Sequence, residues 1–453
     1  MSKKNYIPQE PTIEAALLVE LLAISSSVLV KKLSNNDRDW ARFTNKHQAG
    51  VYIPPLQRDG GFFPPLSEKN RGSDGGDPIR EVFFQTNWPE VNETRADTRL
   101  VHYTSKGPET HLTRLPKAAF VDLSPASFLV MGRVQDQNGL SYRCLTIDSS
   151  SEDALYLTNF LAIQPDFRIE IFDPALKRRE ENRKILDFAE QVIAAWKAGL
   201  IEKFARDSAA MPTTLALATL ARNAYLQKQG IANLDSRLLD NPGDVLREVS
   251  RGIEWDMFRE YQRRECAVAL VRIVLGDQPS SVSTGQLIRS LVDKLPEIDA
   301  LLLSASQQRK SRAGYSFEHH IEAMLVGGQI PFEKQVVIQS KKRPDFILPS
   351  LSRLQKPSTG QAAGLILSAK TTLRERWKQV EREMHGSELF LATVDENIAS
   401  NAIEEMAGMG INLVVPELLK KSKISEYQHH TNVIDFKTFF EIDVRSRMRI
   451  WGL

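Results

Sequence analysis

Apolar and polar positions change rhythm along the chain, and the changes mark its parts. After a polar start, Pro11 to Ile24 reads as one short helix. From Ser25 to about Arg168 the apolar runs are short: Val28–Val30, Gly50–Ile53, Arg80–Phe84, Arg99–His102, Ala119–Leu123, Phe128–Met131 and Tyr142–Ile147. Gly, Pro, Asn and Asp separate them, and the Gly/Pro-rich Gly60–Pro78 reads as a surface loop. Many short strands with turn residues between them predict a small β-barrel or sandwich. Residues 169–206 mix both charges at helical spacing, as a solvated helix face does. Helical periodicity follows over Thr213–Leu226, Val245–Glu254, Trp255–Leu275 and Tyr315–Leu325. Short apolar strands then alternate with helices, ending in Leu389–Val394, a helix over Ile398–Met409, and Ile411–Val415. That alternation predicts an α/β domain with a mixed sheet. The expected division is 1–172, a strand-rich domain; 173–206, a charged helical linker; and 207–453, the α/β domain.

Composition narrows the class without naming a partner. The chain has 453 residues, 42% hydrophobic and 26% charged, with a formal net charge of +2. That is ordinary for a globular protein of two or three domains, so any nucleic-acid signal must come from local clusters. Cys144 and Cys266 have neither metal-ligand nor disulfide spacing, which fits a reducing cytoplasm. The apolar run Ala15–Ile24 contains Glu20 and is too short to span a bilayer, so no membrane partner is expected. No secretory leader is read at the start of the chain. The glycine-rich segments lack the spacing of a phosphate-binding loop, and the pairs His319-His320 and His429-His430 are not spaced as helical metal ligands.

Chemistry concentrates between Lys341 and Glu383. Pro344-Asp345 opens one apolar run and Lys370 closes the next, Leu365 to Ala369. A carboxylate and a lysine at the ends of adjacent strands suit metal-dependent phosphodiester hydrolysis: the acid holds a hard cation through oxygen and the lysine positions water. Ser368 stands two residues before Lys370, on the same strand face, where a second acid would be expected. Glu383, thirteen residues beyond Lys370, can supply that acid. It borders the helical face of Leu373, Trp377, Val380 and Met384, with Glu381 as the competing position. Glu318 borders the buried stripe of Phe317, Ile321, Met324 and Leu325, and Glu322 is its solvated counterpart. In Arg374-Glu375-Arg376, arginine can read guanine bidentately and glutamate can accept from cytosine N4. Arg309, Lys310 and Arg312 suit phosphate, a contact that positions without specifying.

Pro344-Asp345, Ser368-x-Lys370 and the displaced Glu383 resemble the EcoRII-type branch of the PD-(D/E)XK restriction endonucleases. Arg309-Lys310-Ser311-Arg312-Ala313-Gly314, Ser316-Phe317-Glu318 and Lys370-Thr371-Thr372 carry the same resemblance, which covers roughly residues 25–120 and 207–420. It implies a Type II endonuclease in which Asp345, Glu383 and Glu318 serve Mg²⁺, Lys370 assists catalysis, and Arg374, Glu375 and Arg376 read a CC…GG palindrome in double-stranded DNA. It further implies 5′-phosphate products, a homodimer, and a separate methyltransferase acting on the same site.

Lys31-Lys32-Leu33-Ser34-x-Asn36-Asp37 and His47-Gln48-x-Gly50-x-Tyr52-Ile53-Pro54 resemble the family's N-terminal effector domain, a DNA-binding pseudobarrel of the B-three type. The resemblance assigns DNA contacts to His47, Tyr52, Lys106, Glu109, His111 and Arg114. The segment Lys106-Gly107-Pro108-Glu109-Thr110-His111 departs from the densely basic cluster of the family. Two other readings stay open: a DNA-binding regulator carrying an inactive nuclease domain, and a nuclease that depends on a modified base.

Overall fold

The computed structural model describes residues 13–43, 50–68, 78–137, 139–164, 166–338, 343–355, 364–373 and 388–452. Within its helices, the side chains of residues 13–15, 181, 306, 309–311 and 313–315 lie outside that description. The chain forms two compact units. The first comprises Met1–Glu180 with Glu396–Ala399 and Ser422–Glu426; the second comprises Glu181–Asp395, Ser400–Lys421 and Tyr427–Leu453. The division falls inside the charged helix Pro174–Lys197.

The first unit is built on one sheet. Among the described residues its strands are β1 (Ser27–Lys32), β2 (Val51–Tyr52), β3 (Ser67–Glu68), β4 (Ile79–Trp88), β5 (Glu93–Tyr103), β6 (Thr110–Thr113), β7 (Phe128–Asp136), β8 (Gly139–Ile147) and β9 (Ile169–Phe172). They run in the order β2-β6-β5-β4-β8-β7-β1-β9, with β3 on β4. The described pairings are antiparallel except β4 with β8. Side chains alternate between the two faces of a strand, and here both faces are covered. Val28, Val30, Phe128, Val130, Leu145 and Ile147 enter one core, beneath the helices Ile13–Ile24 and Glu152–Phe160. Leu29, Leu129, Met131, Tyr142 and Cys144 enter the other, with Trp40, Trp88 and Phe120. Two-sided burial explains why these strands read as unbroken apolar runs.

One expected strand is absent. Ala119–Leu123 is a 3-10 turn over Lys117–Ala119 followed by a turn. The Pro116 carbonyl accepts from Ala119 N, and fully buried Phe120 packs 5.3 Å from Trp40 and 5.8 Å from Trp88. A single aromatic plug, with no ladder partner, accounts for the apolar run.

In the second unit, β10 (Glu333–Lys334), β11 (Phe346–Leu348), β12 (Leu365–Ala369), β13 (Glu388–Ala392), β14 (Ile411–Val415) and β15 (Val433–Asp435) form a mixed sheet in chain order. β10, β11 and β12 pair antiparallel, and β12 to β15 pair parallel. Helices Thr214–Gln229, Glu254–Leu275 and Leu295–Gly327 accompany it. The last is longer than its sequence suggests. The spacing predicts a helix over Tyr315–Leu325; the helix runs for 33 residues, passing through Gly314 although glycine disfavours a helix interior. Its Phe317, Ile321, Met324 and Leu325 are fully buried against the sheet, each contributing roughly 1.5–3 kcal/mol. The helix Pro174–Lys197 is more than a solvated spacer. Its Val192 and Trp196 pack on Val268, and Trp196 Nε1 donates to the Gly276 carbonyl at 2.9 Å.

Gly50 sets the approach of β2 to β6. Its φ is +141°, and a Cβ there would lie 2.0 Å from the Leu112 carbonyl oxygen. Gly50→Ala is expected to lower stability by about 2 kcal/mol or more. Chemical denaturation followed by tryptophan fluorescence measures this, and an unchanged midpoint would refute it.

Candidate active site

The site begins with strand ends. Pro344 has no N–H to offer a ladder, so β11 starts only after Asp345. Phe346 then pairs with Leu367, which carries Asp345 to the end of β12. Asp345 Oδ2 accepts from Ala369 N at 2.7 Å and from Lys370 Nζ at 2.8 Å. Lys370 N donates to the Ala392 carbonyl at 2.9 Å, so β13 fixes the lysine backbone while Asp345 fixes its ammonium. Ser368, two residues earlier, is fully buried opposite Leu391.

The long helix supplies the next acid. Glu318 is only 8% exposed. Burial, then the neighbouring Asp345 charge, pushes its carboxyl up to about 7. Gln335 Nε2 donates to Glu318 Oε2 at 3.3 Å, and Gln335 N donates to the Asp345 carbonyl at 3.2 Å. Lys334 is turned aside, its Nζ 2.7 Å from Glu322 Oε2, so Glu322 stands outside the site. Among the described residues, no three His, Cys, Asp or Glu side chains form a ready metal cage. Asp345 and Glu318 nonetheless suit a hard divalent cation: their donors are all oxygen, and their mutual repulsion is what a cation would relieve.

Glu383, Arg374, Glu375 and Arg376 lie outside the described residues, as do the side chains of Arg309 and Lys310. Arg312 Nη1 donates to the Pro212 carbonyl at 2.7 Å, and its guanidinium lies 5.9 Å from the Phe258 ring centre. The structure also brings together residues that sequence reading passed over. His320 is fully buried, with Nε2 2.5 Å from Glu254 Oε2, and Ser316 Oγ donates to the same oxygen. Burial holds the imidazole below its usual value despite Glu254. Ser316 and His320 are four apart on one helix face, which is the only local signal for this network. Gln335 gave none.

In the first unit the candidate DNA residues divide by setting. Tyr52 on β2 pairs with His111 on β6, their rings 6.0 Å apart edge to face. Asp37 Oδ1 accepts from Tyr52 N at 2.8 Å, and Lys31 Nζ donates to the Tyr52 carbonyl at 2.6 Å. Lys31 and Asp37 are themselves a buried pair at 2.8 Å, and Asp37 closes a capping box with Ser34. The Lys31–Asp37 motif is therefore a brace beneath Tyr52. Burial pushes the His111 imidazole down. Lys106 and Glu109 are exposed beside it in sequence, with Lys106 Nζ 5.7 Å from the Tyr103 ring centre. Arg114, at φ +61°, pairs with Asp97 at 3.1 Å. His47 lies outside the described residues.

A carboxyl whose folded value is raised loses stability as pH climbs from its unfolded value towards the folded one, and the penalty is complete above that. Glu318→Gln is therefore expected to melt above wild type at pH 8 in chelating buffer, with the gap closing near pH 5. Thermal melts at the two pH values measure this, and equal gaps would refute the raised carboxyl.

Comparison with known proteins gives the chemistry a family. The model of the EcoRII C-terminal domain matches residues 281–440. The Type II restriction enzyme SsoII of Shigella sonnei is 26% identical over 254 residues, 53% of this chain and 79% of that enzyme. The Type II restriction enzyme EcoRII of Escherichia coli is 34% identical over 139 residues, 30% of this chain and 34% of that enzyme. A solved structure of metal-depleted Ecl18kI with uncleaved, modified DNA is 26% identical at a TM-score of 0.46, covering 57% of this chain and 85% of that one. The matching segment holds Asp345 and Lys370 at its strand ends, and these likenesses support a Type II restriction endonuclease of the EcoRII type.

Proposed function

We propose that the chain hydrolyses double-stranded DNA at a CC…GG-type palindrome with Mg²⁺. The single observation that carries the reading is Lys370 Nζ held 2.8 Å from Asp345 Oδ2 at the meeting of β11 and β12. Asp345 and Glu383, with Glu318 beside them, would hold the cation. When bound it supplies charge neutralisation at the scissile phosphate. Lys370 orients the attacking water, Asp345 keeps that ammonium in place, and in-line displacement leaves a 5′-phosphate and a 3′-hydroxyl. Arg374, Glu375 and Arg376 read the G·C pairs, and Arg309, Lys310 and Arg312 serve the phosphates. In this reading residues 1–172 form an effector domain that binds a second copy of the site through His47, Tyr52, Lys106, Glu109, His111 and Arg114. Residues 173–206 link it to a catalytic domain over 207–453. The enzyme acts in the cytoplasm beside a separate methyltransferase. No helix of the described residues is long and apolar enough to cross a membrane.

A palindrome cut on both strands calls for two sites related by a dyad. The helix Thr284–Asp293 supports a homodimer: it is amphipathic, yet none of its residues is buried. Leu287, Ile288, Leu291 and Val292 are exposed there, and Leu302 and Leu303 are exposed on the next helix. An apolar face of this size suits a second copy of the chain.

Digestion of unmethylated plasmids bearing CC(N)GG sites tests the reading. Wild type with Mg²⁺ is expected to give discrete fragments and Asp345→Ala none. Specific binding without cutting by wild type would favour the inactive regulator, and cutting confined to methylated DNA would favour the modification-dependent nuclease. Arg374→Ala is expected to lose about 1–3 kcal/mol of discrimination at one base pair. The double substitution Ile288→Glu, Val292→Glu is expected to turn a dimer into a monomer by light scattering, and an unchanged mass would exclude this face.

A further inference from the structure

Gln335 touches both described acids of the site and belongs to no motif. It follows Lys334, the last residue of β10, and it is exposed. Its backbone N–H donates to the Asp345 carbonyl at 3.2 Å, and its side-chain amide donates to Glu318 Oε2 at 3.3 Å. Its φ is +53°. In that left-handed region glycine is free of steric cost and asparagine is tolerated, whereas a longer side chain is disfavoured. Sparsely populated backbone of this kind clusters at functional sites.

The chemistry of the amide explains what glutamine adds. Asp345 and Glu318 are like charges held side by side, and the Lys370 ammonium offsets their repulsion only in part. A cation could restrain Glu318, and Lys334 is one residue away, but Lys334 is engaged by Glu322 at 2.7 Å. An amide N–H restrains the carboxylate without neutralising it. The negative charge of the pair is thereby kept for a metal ion. Because the same residue is pinned to the Asp345 backbone, the restraint fixes one acid relative to the other.

We infer that Gln335 is a positioning residue that holds the Glu318 carboxylate beside Asp345, so that both acids face one divalent cation. The inference rests on the nuclease reading of Asp345 and Lys370. Partners of this kind around a metal site typically change metal affinity or activity 10–100-fold when removed.

Glycine at this position separates the contact from the backbone, since it adopts the same φ freely and lacks only the amide. The full-length Gln335→Gly variant is expected to melt at or above the wild-type temperature in chelating buffer. Without DNA, the Mg²⁺ concentration that stabilises it should rise about 10-fold or more. On long unmethylated DNA at saturating concentration, its cutting rate should fall about 10–100-fold. Gln335→Met, of nearly the same length but with neither the donor nor a charge, should show the same losses in Mg²⁺ response and cutting if the glycine variant proves hard to prepare. A glycine variant with wild-type Mg²⁺ dependence and wild-type cutting overturns the inference. So does one that melts lower and cuts normally below its melting range, because that outcome assigns Gln335 to the fold alone. Wild type that fails to cut sinks the nuclease reading and this inference together, whereas wild type that cuts beside an unaffected variant sinks only the role of Gln335.

Discussion

A single carboxylate oxygen, Asp345 Oδ2, accepts from the backbone of Ala369 and from the ammonium of Lys370, and the geometry of the second unit's site follows from that sharing. β11 and β12 pair over only three residues each, too few to fix the chain beyond their ends. The aspartate extends their registration past the last ladder bond by a charge-assisted one, stronger than a neutral hydrogen bond. It thereby joins the end of one strand to the start of the loop that follows the other. Without it the buried Ala369 N–H would lose its partner, at a cost of about 1–3 kcal/mol. The same atom is thus part of the fold and part of the proposed chemistry, and the lysine is placed by the sheet on one side and by the acid on the other.

What could be read beforehand was what local patterning encodes. Asp345 and Lys370 were legible because proline and a lysine bracket two short apolar runs, and those runs are adjacent strands. β14 appears with the bounds its apolar run suggested, and the buried stripe of the long helix is the one its spacing gave. The illegible parts depend on partners distant in sequence or on backbone angles. Gln335 shows no pattern because its role arises from a left-handed φ and from two acids, one before and one after it in the chain. Glu254 meets His320 across 66 positions, which periodicity cannot see. Ala119–Leu123 was misread because an isolated plug and a strand share one composition.

Two buried polar groups follow one logic in separate parts of the molecule. Lys31 with Asp37 lies beneath Tyr52 in the first unit, and Glu254 meets His320 and Ser316 on one face of the helix Leu295–Gly327 in the second. Removing charges from water is unfavourable, and hydrophobic residues of similar volume would often serve stability as well. What apolar residues would not supply is direction. Asp37 and Lys31 bond the N–H and the carbonyl of one residue, and Glu254 bonds two side chains of one helix face. Each arrangement fixes the rotation or register of an element that carries residues proposed to meet DNA or metal.

The helix Leu295–Gly327 joins two tasks on one rigid body. Its first turns carry part of the apolar face proposed for self-association, and Glu318 lies near its far end. From Leu302 to Glu318 the rise is about 24 Å at 1.5 Å per residue. A tilt of one degree at the near end would then displace the carboxylate by roughly 0.4 Å, enough to matter for a metal–oxygen bond. In the proposed dimer the helix would work as a lever: the geometry at the meeting of two copies would be written, with amplification, into the position of an acid in each site.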